Sequence, residues 1–422
     1  MIKITRTFGL KFTVLGVLYF SQGLPFGFFI QALPVILRQN GFSLSTIGLT
    51  WMLTLPWALK FLWAPLVDRY FSLRIGRRKS WLIPLQVSAV ALLLSLSLTG
   101  NNLIASLPVL MTVIFFLNLI AATQDIATDG LAVDMLEARE RGMANGLQVA
   151  AYRVGMIVGG GALLIFYEQL GPSLVFLIMA GLLAIASLPV LMVNEQVLVT
   201  GVDNEGSKKG AGVHLPGVHF FRREGVIAVL AIVLFYKLGD GLATGMLRPF
   251  LIDVANLSLA DIGWLLGTVG FIAGLLGALL GGVFTNLLGR KTSLMFCGIL
   301  QALSIAGYAW LAAAKPSAEE LYMLLCGVEH LVGGMATVSL FTCMMDWCSS
   351  KSIATDYTVQ ASAVVISTSL ASAVSGFVAQ AIGYYAHFGL SAVLSVGALL
   401  VVWYYFPSQK AQTLLRKADL RY

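Results

Sequence analysis

Runs of about twenty apolar residues recur along the whole chain, and a sequence built that way has few folds open to it. A run of that length spans the hydrocarbon core of a bilayer, where every backbone N–H and C=O must find its partner inside the protein. Each run is therefore predicted to be an α-helix. Twelve such spans are expected, near 12–37, 46–67, 81–99, 107–133, 143–166, 172–193, 225–250, 260–285, 292–313, 320–345, 357–383 and 387–406. The composition agrees: 58% of the 422 residues are hydrophobic and 11% charged, against about a quarter charged in a soluble domain. The predicted fold class is an all-α polytopic membrane protein. Nothing at the N-terminus reads as a cleaved signal, since the first run is too long and lacks a small-residue cleavage site.

Lysine and arginine placement sets the expected orientation. Most of the 27 basic residues fall in segments that would be cytoplasmic if the N-terminus is inside, whereas the outer loops hold only Arg38 and Lys315. Both termini are expected in the cytoplasm of a bacterial inner-membrane protein. The net charge of +7 then reads as a topology and lipid-surface signal, with no nucleic-acid partner.

The two halves repeat. Phe42-Ser-Leu-Ser-Thr-Ile-Gly48 returns as Leu257-Ser-Leu-Ala-Asp-Ile-Gly263, and Gly23-Leu-Pro-Phe-Gly27 as Gly241-Leu-Ala-Thr-Gly245. The Asp68-Arg69 corner with Gly76-Arg77-Arg78 is echoed by Asn286 and Gly289-Arg290-Lys291. The expected domains are an N-terminal six-helix bundle (1–193), a cytoplasmic linker (194–224), a C-terminal six-helix bundle (225–406) and a tail (407–422). Transporters with such repeats hold solute near the bilayer midplane.

Ionisable residues inside the spans carry the functional signal, because a charge at membrane depth is expensive and normally faces a protein interior or a water-filled path. Asp125 and Asp129 are four apart and share one helix face with Gln124 and Thr128. At about 1.5 Å per residue, Asp125, Lys60, Arg153, Lys237, Asp240, Glu329 and His330 all come within the middle ~15 Å of a ~30 Å core. The basic members suit an anionic or amphiphilic small solute; Asp125, Asp240 and Glu329 are candidates for proton coupling. The bland alternative is mutual ion pairing, strongest for Lys237 and Asp240, three apart on one helix. Gln22 and Gln360 are further candidate lining amides, as is Asn118, although residues of this kind more often serve merely as interhelical glue.

Other features read as structure. Cys297, Cys326, Cys343 and Cys348 have no metal or redox spacing and are expected to pack as small apolar residues. The small-residue faces Gly155, Gly159, Gly160, Gly161 and Gly270, Gly274, Gly277, Gly281 suit tight helix crossings. Trp51, Trp57 and Trp63 read as lipid or pore aromatics. No Walker loop, zinc spacing or nucleophile elbow occurs, so no cofactor, metal site or enzymatic activity is expected. An embedded enzyme or receptor could use the same buried charges, but only alternating access requires two quasi-equivalent halves.

The twelve spans, the two halves and the Asp68-Arg69…Gly76-Arg77-Arg78 corner resemble the major facilitator superfamily, although five residues, Phe71 to Ile75, widen the corner. The resemblance implies a gating role for Asp68, Arg69, Arg77 and Arg78. Lys60-Phe-Leu-Trp-Ala-Pro-Leu-Val-Asp-Arg69, Gly76-Arg-Arg-Lys-Ser-Trp-Leu82, Gln124-Asp-Ile, Tyr152-Arg-Val-Gly-Met156 and Tyr236-Lys-Leu-Gly-Asp240 resemble the AmpG-like permeases. Ala127-Thr-Asp-Gly130, Ser80-Trp-Leu-Ile-Pro-Leu-Gln86, Val328-Glu-His-Leu-Val-Gly-Gly334 and Ala354-Thr-Asp-Tyr-Thr-Val-Gln-Ala-Ser362 are most similar to the RhtX/FptX-type siderophore importers. The resemblance implies a monomeric, proton-coupled importer of a siderophore or its metal chelate. A muropeptide permease is the alternative, and metabolite efflux a more distant one.

Overall fold

The structure, a computed structural model, describes residues 2–33, 36–37, 53–72, 74–98, 107–192, 195, 220–221, 223, 225–257, 259–349 and 352–407. The first residues of the second span (46–52), nearly all of the linker 194–224, the tail beyond residue 407, Arg38 and Trp51 lie outside the described residues.

The described chain is helical almost throughout. Helix α1 (Ile2–Gly27) runs on through a π-helical turn, Phe28–Ala32. The α2 stretch (55–69) is broken; α3 is Lys79–Leu98 and α4 Leu107–Met135. Helix α5 (Arg141–Met156) passes through a second π segment, Ile157–Ala162, into α6 (Leu163–Met192). Helix α7 covers 226–253, α8 covers 259–288 with a π turn at Leu265–Val269, α9 is Arg290–Ala314, α10 Glu319–Asp346 and α11 Ile353–Tyr405. Nine helices among the described residues are long and apolar enough to cross a membrane. Two of the long ones are not continuous. Gly171 (φ 73°) breaks α6 and Gly383 (φ 75°) breaks α11, and only glycine adopts that backbone without strain. An unbroken α11 would be about 80 Å long, far beyond a bilayer.

Two expected continuous spans are interrupted. Within α2, Pro56 and Pro65 each open a short helix, Leu55–Leu59 and Ala64–Arg69, joined by a 3₁₀ turn at Lys60–Leu62. Proline fits a helix's first turn but cannot continue the one before it. In α7, Lys237 leaves helical geometry (φ −105°, ψ 6°) between Val226–Tyr236 and Leu238–Asp253.

The chain forms two compact units. Unit 1 comprises Met1–Leu136, Leu147–Val218 and Ser352–Thr358; unit 2 comprises Glu137–Gly146, His219–Lys351 and Val359–Tyr422. Each unit thus takes a short segment from the other half of the sequence. Unit 1 has an apolar core of Phe28, Leu33, Leu93, Ile114, Phe176 and Leu183 and their neighbours. Unit 2 builds its own around Phe250, Leu265, Tyr308, Tyr322 and Phe388. Outward positions are apolar too: Ile185 and Leu324 are 64% and 65% exposed, as lipid-facing side chains are.

Glycine sets the closest crossings. A Cβ on Gly159 would overlap the Leu24 carbonyl of α1, and one on Gly277 the Leu331 carbonyl of α10. The four cysteines are free and buried.

Candidate functional site

Unit 1 gathers a buried polar nest from four helices. Lys60, placed by the 3₁₀ turn of α2, ion-pairs with Asp125 of α4. One helical turn on, Asp129 accepts a hydrogen bond from the Tyr19 hydroxyl at 2.7 Å and a long one from Gln148 Nε2 at 3.5 Å. Gln22 Nε2 donates to Thr128 Oγ1 and Gln124 Nε2 to Ser21 Oγ, both at 3.0 Å. The sequence singled out Lys60, Gln22, Gln124, Asp125 and Asp129 as candidates, with Lys60 and Asp125 at a common depth, and the structure brings these five together. Arg153 is half-buried on α5, and Asp125 pairs with Lys60 rather than with it. The side chains of Tyr19, Ser21 and Gln148 complete the nest and were not singled out beforehand. They are ordinary polar residues in apolar runs and carry no charge signal.

Beside the nest, Trp57, Phe26 and Tyr152 form a half-buried aromatic trio, with Phe26 centred 5.4 Å from Trp57 and 5.8 Å from Tyr152. Trp57 Nε1 donates to Asn118 Oδ1 at 3.0 Å, and Trp63 Nε1 to Thr123 at 3.1 Å. Asn118 is also the one polar side chain among those lining a narrow apolar cleft walled by Phe26, Phe28, Phe29, Leu117 and Phe176.

Unit 2 carries its own buried pair. Lys237, at the break of α7, lies 2.8 Å from Asp240 Oδ2, and Gln301 of α9 donates to Asp240 Oδ1 at 2.6 Å. The expected Lys237–Asp240 pair is therefore present, with Gln301 as a partner the sequence did not indicate. On α10, His330 Nδ1 lies 2.9 Å from Glu329 Oε2 and 2.9 Å from the Cys326 carbonyl one turn back. Gln360 does not join these groups. Fully buried, it donates to the Met344 carbonyl at 3.2 Å near the end of α10, so it acts as interhelical glue.

The corner after α2 is a second charged assembly in unit 1. Asp68 Oδ1 accepts from Arg78 Nη1 at 2.8 Å and Arg77 Nη2 at 3.1 Å. Its Oδ2 accepts from the Thr355 backbone N–H (2.8 Å) and hydroxyl (2.7 Å) at the start of α11. Arg78, fully buried, also donates from Nε to Asp134 Oδ2 at 2.8 Å. Burial alone would raise the Asp68 carboxyl. The two guanidiniums and the Thr355 hydrogen bonds outweigh it and hold the carboxyl below its ordinary range. Glu195 caps the N-terminus of α3, accepting from the backbone N–H groups of Arg78 (3.1 Å) and Lys79 (2.9 Å). Arg69 stands apart: it is exposed and stacks over Tyr70, so of the four expected gating residues three assemble.

Unit 2 repeats this chemistry. Asp346, at the end of α10, accepts from Arg141 Nη1 at 2.6 Å and Arg290 Nε at 2.7 Å. Arg141 also donates to the Met345 carbonyl, and Arg290 to the Ala138 carbonyl.

Comparison with known proteins places this arrangement. Residues 11–169 match the family model described as Acetyl-coenzyme A transporter 1, and residues 229–419 match that of the Major Facilitator Superfamily. The anhydromuropeptide permease of Escherichia coli K12 is 30% identical over 393 residues, covering 92% of this chain and 78% of the permease. The chain belongs to the AmpG-like permeases of the major facilitator superfamily. A Rickettsia felis protein named as an AmpG transporter is 29% identical to this permease over 390 residues, covering 91% and 93% of the two chains. Among solved structures, a bacterial homologue of the iron transporter ferroportin superposes with a TM-score of 0.68 at 16% identity, covering 94% of the permease and 99% of that chain. That likeness shows a shared fold. The permease is thus a multi-pass membrane transporter of the facilitator type.

Proposed function

We propose that this permease imports a muropeptide-type solute across a bacterial inner membrane, driven by the proton gradient. The observation that carries the reading is the near full-length likeness to the Escherichia coli anhydromuropeptide permease. The buried Lys60–Asp125 and Lys237–Asp240 pairs add to it, each set at a break in its helix. A muropeptide joins amino-sugar rings to a peptide bearing carboxylates. The lysines suit the carboxylates, and the Trp57–Phe26–Tyr152 trio offers apolar faces to a sugar ring. The relatives favour this solute over the siderophore suggested by the RhtX/FptX-like segments.

The same reading takes the chain as twelve spans in two six-helix halves joined by the 194–224 linker, with both termini cytoplasmic. The breaks at Gly171 and Gly383, between the spans expected on either side, support that count. Asp68, Arg77 and Arg78 then belong to the inner gate, and the midplane groups to the solute path.

The test is uptake into proteoliposomes of a radiolabelled anhydromuropeptide and, in parallel, a ferric siderophore. Accumulation of the muropeptide alone, collapsed by a protonophore and indifferent to ATP, is the expected result. Accumulation of the siderophore alone would return the assignment to that class.

A further inference from the structure

The nest in unit 1 holds two carboxylates and, among the described residues, one cation that ion-pairs with them. Lys60 is bonded to Asp125. Asp129 is 2% exposed, and its hydrogen-bond donors are neutral, the Tyr19 hydroxyl and the Gln148 amide. Both aim at the same oxygen, Oδ1, which is what a carboxylic acid with its proton on Oδ2 would present. A second unbalanced carboxylate at that depth, one turn from Asp125, would meet both the desolvation penalty and like-charge repulsion. The nest is neutral when the pair holds one proton. Among the described residues, phenols also face the nest: Tyr152 of α5 toward Asp125, and Tyr357 of α11 toward Tyr19.

Lys60 is not held in a regular helix. Its 3₁₀ turn lies between two proline-headed pieces, the kind of mid-helix irregularity that lets a side chain change partner, and the Trp57 ring lies 5.8 Å from its ammonium.

We propose that Lys60 anchors a carboxylate of the solute by exchanging it for Asp125, and that Asp125 and Asp129 act as one proton-holding pair. In the resting nest Lys60 is paired with Asp125 and the proton sits on Asp129. When a solute carboxylate takes the ammonium, Asp125 is left one turn from Asp129 with no counter-ion, and it binds a proton from water. No covalent bond forms: one solute carboxylate and one proton enter the nest together, and its net charge stays at zero. Solute departure reverses the exchange, Asp125 returns to Lys60 and the proton leaves. The coupling thereby follows from charge balance inside unit 1. This inference rests on the reading of the protein as a proton-coupled muropeptide importer.

Two measurements test it. Infrared difference spectroscopy of the purified protein, without solute, is expected to show a protonated carboxylic acid at neutral pH that disappears in Asp129→Asn. Its absence from the wild type overturns the resting charge state whatever the solute proves to be. The second uses proteoliposomes and labelled anhydromuropeptide. In Asp125→Asn/Asp129→Asn, accumulation under a proton gradient is expected to fall at least tenfold, while exchange with preloaded solute loses its dependence on pH. Proton-driven accumulation in that double variant overturns the proposal. If the double variant does not fold, the charge-neutral triple variant with Lys60→Gln takes its place; it is expected to lose solute binding at least tenfold, and unchanged binding overturns the anchoring role. Should the wild type carry no muropeptide, the reading of the solute fails while the spectroscopic result stands by itself.

Discussion

Thr355→Val isolates one bond of the Asp68 corner. Valine keeps the shape and the backbone N–H that donates to Asp68 Oδ2, and removes only the hydroxyl donor at 2.7 Å. A hydrogen bond to a charged group contributes about 1.5–3 kcal/mol, and Thr355 is fully buried, so water cannot replace it. Loss within that range is expected for the single change. Asp68→Asn goes further. It removes the Asp68 carboxylate from both Arg77 and Arg78, and falls in the range of about 3–5 kcal/mol for breaking a buried ion pair. The two substitutions share a bond, so in the double variant their effects should fall short of additive by about 0.5–3 kcal/mol. Equilibrium unfolding in mixed detergent micelles measures all three, with initial uptake rates taken on the same preparations. A Thr355→Val protein within 0.5 kcal/mol of wild type, or strict additivity with Asp68→Asn, would refute the reasoning. The pH dependence has a definite sign. Asp68 has its carboxyl held low, so its stabilisation is fully present above the unfolded value of about 3.9 and is lost as pH falls through the lower, folded one. Between pH 5 and 8 this contribution should be flat.

The corner in unit 2 should respond alike: Asp346→Ala leaves Arg141 and Arg290 without their carboxylate and is expected to destabilise the protein by about 3–5 kcal/mol in the same unfolding assay. Lys237→Gln leaves Asp240 with Gln301 as its donor. The loss of stability should be largely recovered in Lys237→Gln/Asp240→Asn, and no recovery would mean the pair is not a closed unit. Gly277→Leu forces a side chain into the Leu331 carbonyl of α10 and should cost at least about 1–3 kcal/mol, read as a lowered unfolding midpoint.

The helical runs were legible because lipid imposes one rule on every span: backbone satisfied within the helix, apolar side chains outside. Lys237–Asp240 was legible for a local reason, since a spacing of three on one helix brings side chains together. Lys60 and Asp125 were placed at one depth by counting residues, yet their bond depends on the rotation of α2 against α4, which no single helix encodes. The breaks in α2 had a visible cause in Pro56 and Pro65, but hydropathy averaged over twenty residues passes straight across them. Glu195 and Thr355 were hidden differently. Glu195 follows α6 in the sequence and Thr355 opens α11, and their roles arise only when a distant backbone or carboxylate arrives. Arg290 had a sequence signal in the repeated Gly-Arg corner; its partner Asp346 had none beyond lying at the end of α10, as Asp134 lies at the end of α4.

That correspondence bears on how the molecule works. In each unit an aspartate at the end of a long helix binds an arginine from a corner between two others: Asp134 of α4 with Arg78 of the corner after α2, and Asp346 of α10 with Arg290 of the corner after α8. In each, a segment from the opposite half of the sequence completes the assembly, Thr355 in unit 1 and Arg141 in unit 2. Each unit also places a buried lysine where its helix is broken and gives it an aspartate. The lysines, however, sit on helices that do not correspond, α2 in one unit and α7 in the other. The corners are thus built from matching elements, while the buried pairs are not. On the function proposed above, corners that act as gates in two duplicated halves would keep their symmetry, whereas a solute with chemically different ends would call for two unlike anchors. The proton-holding pair proposed above fits that asymmetry: Asp129 stands one turn from Asp125 on the same helix, whereas Tyr236 and Thr244 occupy the positions one turn from Asp240, whose second partner is the neutral amide of Gln301.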